Sequence, residues 1–235
     1  MPRTSSMRTV WHPQQPTRVI VVNKNDFSDH FTCELPAQWV FHFGNAWEDE
    51  AGIIRFDGAR AADPMVMLEG FREIMRGVQV PDESPARHHA YRIDTRKRTA
   101  SEGPLLPVGR ASEFPAIDPR VSTQRYQRVV MMTADYSNKA PHALLDAVTL
   151  MEIESGKEST YRYPDRQMPE EHLFVPAPHS APETDGFVVG TFLDWRAAAT
   201  GINIFFAHDL AAGPVATATL DYAIPLGLHG KFVGA

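Results

Sequence analysis

Runs of β-forming residues broken by polar turns, a strand-turn-strand unit that returns along the chain, and a single stretch with helical spacing predict an all-β protein built from β-propeller blades, with one short helical insertion. The returning unit shows when Ala90-Tyr91-Arg92-Ile93-Asp94-Thr95-Arg96-Lys97 is set beside Leu150-Met151-Glu152-Ile153-Glu154-Ser155-Gly156-Lys157. Ile204-Phe205-Phe206-Ala207-His208-Asp209-Leu210 leads to a similar turn before Pro214. Each reads as a strand, an acidic residue, a tight polar turn and a returning strand, the pattern of a blade's outer hairpin. Hairpin tips are expected near Asp57, Thr95, Ser155 and Ala211, a spacing that suits blades carrying insertions.

In chain order, Met1 to Pro16 is polar and proline-bearing and lacks the apolar core of a secretion signal. Arg18-Val19-Ile20-Val21-Val22 reads as a buried strand ending at Asn23-Lys24-Asn25-Asp26. Trp39, Val40, Phe41 and Phe43 form a second strand, and Gly44-Asn45 and Asp49 to Gly52 read as turns, which puts His42 near a strand end. Gly52-Ile53-Ile54-Arg55-Phe56-Asp57-Gly58 is a third strand. From Met65 to Gly77 the apolar residues Met67, Leu68, Phe71, Ile74 and Met75 recur at spacings of three and four, which predicts one amphipathic helix. The β pattern resumes after Pro81 to Pro85.

The 235 residues, 43% hydrophobic and 10% aromatic with a net charge of −6, can bury a sizeable core and read as one domain over 1–235. The acidic balance gives no long-range pull toward nucleic acid, and Arg96-Lys97-Arg98 reads as a solvated hairpin tip. A single cysteine, Cys33, leaves no partner for an intrachain disulfide and fits a reducing compartment, the cytoplasm. No apolar run approaches the ~20 residues of a spanning helix. Gly156-Lys157 is no phosphate loop, since Met151 stands where its glycine belongs, and no serine or cysteine sits in a nucleophile signature. His12 and His88-His89 lie in polar or proline-rich surroundings and are expected to face solvent.

Two histidines lie in apolar, strand-like runs. Taken alone, His42 in Val40-Phe41-His42-Phe43-Gly44-Asn45-Ala46-Trp47-Glu48 reads as a satisfied core histidine. His229 in Ile224-Pro225-Leu226-Gly227-Leu228-His229-Gly230-Lys231-Phe232-Val233 is flanked by glycines, which let a backbone come close to another group. No local ligand spacing joins the two, so only a fold could bring them together.

Five ordered stretches carry a resemblance: Phe41-His42-Phe43-Gly44-Asn45-Ala46-Trp47-Glu48; Ser112-Glu113-Phe114-Pro115-Ala116-Ile117-Asp118-Pro119-Arg120; Glu171-His172-Leu173-Phe174-Val175-Pro176; Glu183-Thr184-Asp185-Gly186-Phe187; and Gly213-Pro214-Val215-Ala216, running on to Pro225-Leu226-Gly227-Leu228-His229-Gly230. With these the chain resembles the C-terminal half of a carotenoid cleavage oxygenase, the group that includes apocarotenoid oxygenases, lignostilbene dioxygenases and the vertebrate retinoid isomerase. Thr184 stands where a second acidic residue is common there, and Leu228 where Phe is common.

The resemblance implies a partial seven-bladed β-propeller, about four blades of it, around an axis that carries one Fe(II) held by four histidines. His42 and His229 match the third and fourth of these; the first two belong to a region this chain does not contain. Glu113 and Glu171 match carboxylates that orient the histidines' other ring nitrogens, the reading their motif positions favour over turn or surface carboxylates beside prolines. His172, His179 and His208 match no ligand. The implied reaction is dioxygenase cleavage of conjugated C=C bonds in carotenoid, apocarotenoid or stilbenoid substrates to carbonyl products, so the expected partners are a small apolar conjugated substrate and O2. Peripheral membrane contact stays open at Pro64-Met65-Val66-Met67-Leu68, whose simpler reading is buried packing. The missing half, or another chain, is expected to complete the ring. The alternatives are a catalytically silent truncated fragment and an unrelated metal-binding protein such as a cupin, whose short His-x-His cluster is absent here.

Overall fold

The computed structural model describes residues 10–74, 76, 85–105, 110–135 and 145–233. Strands β1 (Thr17–Asn23) and β2 (Asp26–Leu35) pair as a hairpin through the expected turn. Three four-stranded antiparallel meanders follow. The first holds β3 (Trp39–Glu48), β4 (Ile53–Ala61), β5 (Arg87–Asp94) and β6 (Thr99–Pro104). The second holds β7 (Arg110–Ala116), β8 (Arg128–Asp135), β9 (Ala147–Glu152) and β10 (Glu158–Arg162). The third holds β11 (Gln167–Pro176), β12 (Gly186–Asp194), β13 (Ala199–Phe206) and β14 (Ala216–Thr219). The leading strand of each meander is innermost: β3 packs on β7, and β7 on β11. The turns expected at Thr95 and Ser155 join β5 to β6 and β9 to β10, so the repeated unit is the outer hairpin of each blade.

The middle blade is apolar on both faces because it is sandwiched. Successive side chains of a strand point to opposite faces, and along β8 both sets are buried. Val130 and Met132 join Val148, Leu150, Phe174, Val188 and Phe205 in the core shared with the third blade. Val129 and Met131 join Val121, Tyr126 and Met151, with Trp47 of the first blade packed against them. Burying apolar surface at ~25 cal/mol per Å2, both interfaces hold the blades together.

A buried polar latch reinforces the joint between the middle and third blades. Asp118 accepts from the Arg120 guanidinium and from the Glu183 backbone N–H at 2.8 Å, while the Glu183 carboxylate accepts the amides of Gln127 and Arg128. Burial pushes the Asp118 carboxyl up, but the bonds from the Arg120 guanidinium and from the backbone amides of Glu183 and Arg120 outweigh it and hold the carboxyl below its ordinary range.

Several expectations are corrected. The strand at Arg18–Val22 is not buried: Ile20 and Val22 are exposed. The strand begun at Trp39 does not stop at Gly44-Asn45 but runs to Glu48, because those two residues form a bulge opposite Asp57. Gly44 is required there, since the Asp57 carboxylate lies where a Cβ would stand. Asp57 is therefore no hairpin tip. It is buried in β4 and accepts from the Asn45 amide, the Tyr126 hydroxyl and His88 Nε2. His88, expected at the surface, is fully buried by this bond. The helix is shorter than its periodicity suggested: a π turn over Val66–Gly70 runs into one α turn over Phe71–Ile74, with Met65 and Phe71 exposed. Its expected last residues, Met75 and Gly77, lie outside the described residues.

Candidate functional site

The three inner strands each break register at the same level, and the candidate site is built from those breaks. In β3, Val40 pairs with Arg60 and Phe43 with Gly58, so Phe41 and His42 share one partner position. In β7, Glu113 pairs with Met132 and Ala116 with Val130, leaving Phe114 and Pro115 opposite one residue. In β11, Pro169 pairs with Phe192 and His172 with Gly190, so Glu170 and Glu171 both face Thr191. A bulge re-aims side chains that strict alternation would send to opposite faces. His42, placed by sequence at a strand end, is thus a mid-strand residue turned by a bulge.

The fourth contribution is the extended segment 220–233. It is tied to β13 through the Leu220 N–H on Thr200 O at 2.9 Å and the Thr200 N–H on Tyr222 O at 3.0 Å. Glu170 then accepts the Gly227 N–H at 3.1 Å, and Glu171 the Gly230 N–H at 2.6 Å. The glycines around His229 do what their positions suggested: they let the backbone close onto two carboxylates.

Together these elements bring all four sequence-predicted residues into one cluster. His42 Nδ1 lies 2.6 Å from Glu113 Oε2, and His229 Nδ1 lies 3.1 Å from Glu171 Oε1. A carboxylate can only accept, so each Nδ1 carries a proton, and in the neutral imidazole each Nε2 then presents a bare lone pair. Those two Nε2 atoms face one another at 3.2 Å. No proton remains to bridge them in this tautomer pair, so a positive centre between them is the arrangement's natural complement.

That spacing fits a metal. Two imidazole nitrogens each about 2.0–2.1 Å from one ion stand about 3.0 Å apart at a right angle and about 3.4 Å apart at the tetrahedral angle. Neutral imidazoles with carboxylates on their far nitrogens are also the usual donor chemistry for a first-row divalent metal. The remainder of the site is apolar. The Phe114 ring lies 4.8 Å from His42 and 5.9 Å from His229, and Phe41 meets His42 edge-on at 4.5 Å. Phe114 takes a φ of +54°, an uncommon conformation for a non-glycine residue that here sets its ring against both histidines.

Among the described residues, the other histidines stand apart from this cluster. His12 is exposed, and so are His179 and His208. His172 is buried in the third blade, bonded through Nε2 to the Tyr163 hydroxyl at 2.8 Å and through Nδ1 to Glu170 O at 2.8 Å. Burial pushes it down to about 4, so it is neutral at ordinary pH. Sequence reasoning missed Glu170 and gave Phe114 no role; the doubled acid before His172 was the only signal for the first.

Comparison with known proteins bears on the family and the fold. Residues 3–234 match the family profile described as retinal pigment epithelial membrane protein. The chain is 28% identical over 222 residues to apocarotenoid-15,15'-oxygenase of Synechocystis, covering 94% of this chain and 44% of that protein. It is 25% identical over 248 residues to isoeugenol monooxygenase of Pseudomonas putida, covering 98% of this chain and 50% of that one. The crystal structure of cobalt-substituted Synechocystis ACO superposes with a TM-score of 0.83 at 26% identity, over 95% of this chain and 45% of that one. The chain thus spans about half or less of the length of these relatives, and the superposition identifies its sheets as propeller blades.

Proposed function

Since the chain belongs to the retinal pigment epithelial membrane protein family, the carotenoid oxygenases, we propose that it carries half of the metal site of a nonheme Fe(II) dioxygenase that cleaves conjugated C=C bonds to carbonyl products. The observation that supports this most is the pair of bare Nε2 atoms 3.2 Å apart, each backed by a carboxylate on Nδ1. His42 and His229 would hold the iron. Glu113 and Glu171 keep the Nδ1 protons in place, fix the ring planes and raise the imidazoles' donor strength. Phe41 and Phe114 set apolar surface against His42, and Phe114 against His229 as well, a lining suited to a conjugated hydrocarbon. When bound, iron(II) supplies the dioxygen activation by which a C=C bond is split into two carbonyl groups. The relatives point to apocarotenoid and phenylpropenoid alkenes as the substrate classes to try.

A second reading is a binding-only fragment. It is favoured by the absence, among the described residues, of any group of three or more His, Cys, Asp or Glu able to hold a metal. Two histidines alone hold iron(II) weakly against water. The deciding experiment is anaerobic loading of the 235-residue chain with iron(II), desalting, and counting metal beside a His42→Ala/His229→Ala double variant. Assay of both proteins with an apocarotenal and with isoeugenol follows. Metal retained by the wild type alone, with carbonyl products, supports the dioxygenase. Metal retained by the wild type alone without products, or by neither protein, supports the fragment, and metal retained equally by both proteins refutes the ligand assignment.

A further inference from the structure

Beyond the four residues that form the cluster, we propose that Glu170 is a positioning residue for His229, holding the segment that carries this histidine without touching the imidazole. Successive residues of a strand point to opposite faces, yet the bulge opposite Thr191 turns both Glu170 and Glu171 toward the C-terminal segment. Their tasks differ. Glu171 meets the histidine itself and the Gly230 amide. Glu170 is buried, takes the Gly227 N–H on Oε1 at 3.1 Å, and is fixed through Oε2 by the Thr191 hydroxyl. A Cβ at position 227 would stand 3.2 Å from Glu170 Oε2, so the close approach is one that glycine allows.

The segment needs such an anchor. Residues 225–233 have no strand partner and are exposed throughout, and the His229 side chain is 57% exposed. Of the two carboxylates, Glu170 is the buried one, and its bond to the amide two residues before the histidine is partly buried where that of Glu171 to Gly230 is exposed, so the charge-assisted bond of Glu170 is the less open to water. The inner blade thereby fixes where His229 sits relative to His42, and preorganised ligands hold a metal better than mobile ones. This role rests on the metal reading of the histidine pair, but its first readout does not require metal.

The test is amide hydrogen exchange on the full chain for Glu170→Ala, Glu170→Gln and Thr191→Val, followed by cobalt(II) titration of the same proteins. Glu170→Ala is expected to speed exchange at Gly227 and Gly230 roughly tenfold or more, with Val188 and Phe205 in the blade core unchanged. Glu170→Gln, which keeps an acceptor oxygen, should return Gly230 toward the wild-type rate, and cobalt affinity should fall in the same order. Wild-type exchange at Gly230 in Glu170→Ala would overturn the proposal. If that variant loosens the whole blade, Thr191→Val decides: it leaves the carboxylate but removes its clamp, and unchanged rates at Gly227 and Gly230 overturn the proposal equally. A wild-type chain that binds no cobalt would mean that the two histidines do not hold metal by themselves, and the exchange rates then decide the role of Glu170 on their own.

Discussion

At His42 the chemistry turns on which ring nitrogen carries the proton, and Glu113 sets that. Its Oε2 accepts both His42 Nδ1–H and the amide of the next residue, Phe114, at 3.0 Å, so the carboxylate is pinned by its own backbone before it orients the imidazole. Removing it would free Nδ1, let the ring rotate and allow the proton to move to Nε2, where it blocks metal. Glu113→Ala should therefore weaken cobalt(II) binding by about 10–100-fold, as loss of a carboxylate behind a metal-bound histidine commonly does. Glu113→Gln, which can still accept through its amide oxygen, should lose less. Titration followed by cobalt absorption measures this, and wild-type affinity in Glu113→Ala would remove Glu113 from the site.

Among the elements, β11 carries the clearest pH dependence. His172 is buried with its Nδ1 on a backbone carbonyl and its Nε2 on Tyr163, and it titrates at about 4 against 6.5 when free. Its folded pKa is depressed, so its contribution to stability is complete above about 6.5 and is lost as pH falls toward about 4, where the unfolded chain takes up a proton that the folded chain refuses. The slope over that window is about 1.4 kcal/mol per pH unit for a fully unequal group. Urea unfolding of wild type and His172→Gln at pH 7, 5.5 and 4.5 should show the variant less acid-sensitive, although less stable at pH 7 because Tyr163 and Glu170 O lose their partner. Parallel pH profiles would show that His172 does not refuse the proton.

The same strands show what the sequence makes legible. β-Propensity and turn chemistry locate β1, β4, β5, β9 and β13, and the repeated outer hairpins point to blades, because both signals are local. Bulges are invisible to that reading. Whether Phe41-His42 or Glu170-Glu171 share one partner depends on the register of β4 or β12, which no property of the bulged strand reveals. Asp57 and His88 were misplaced for a related reason: each looks like a surface residue until the other, with Tyr126, satisfies it. Residue patterns alone left His42 a core histidine. It was the resemblance that joined it to Glu113, Glu171 and His229, and the structure brings those four together.

On the scale of the whole molecule, three four-stranded blades and a two-stranded sheet leave apolar surface that a closed ring would cover. Phe27 is 75% exposed on the hairpin of β1 and β2, where Ile20 and Val22 are exposed as well. Leu226, Leu228, Phe232 and Val233 are exposed along the segment that bears His229, so the bare surface adjoins the candidate site. Scattered apolar residues are normal on a soluble protein, but a row of them along an unpaired backbone is a surface that seeks a partner. The net charge of −6 opposes association only weakly at physiological salt, where charges are screened beyond about 8 Å. The chain on its own should therefore self-associate: sedimentation velocity should show a mass that rises with concentration, and a hydrophobic dye should bind with strong fluorescence. Leu226→Ser/Leu228→Ser should reduce both effects, whereas Ile20→Ser alone, far along the chain from His229, should reduce them less. A monomer that stays dark to dye at high concentration would mean that the segment packs onto its own blade more tightly than its exposure indicates. In that event the half site would stand open to solvent in a stable chain, and iron retention by the isolated protein would become a fair measure of what two histidines can hold.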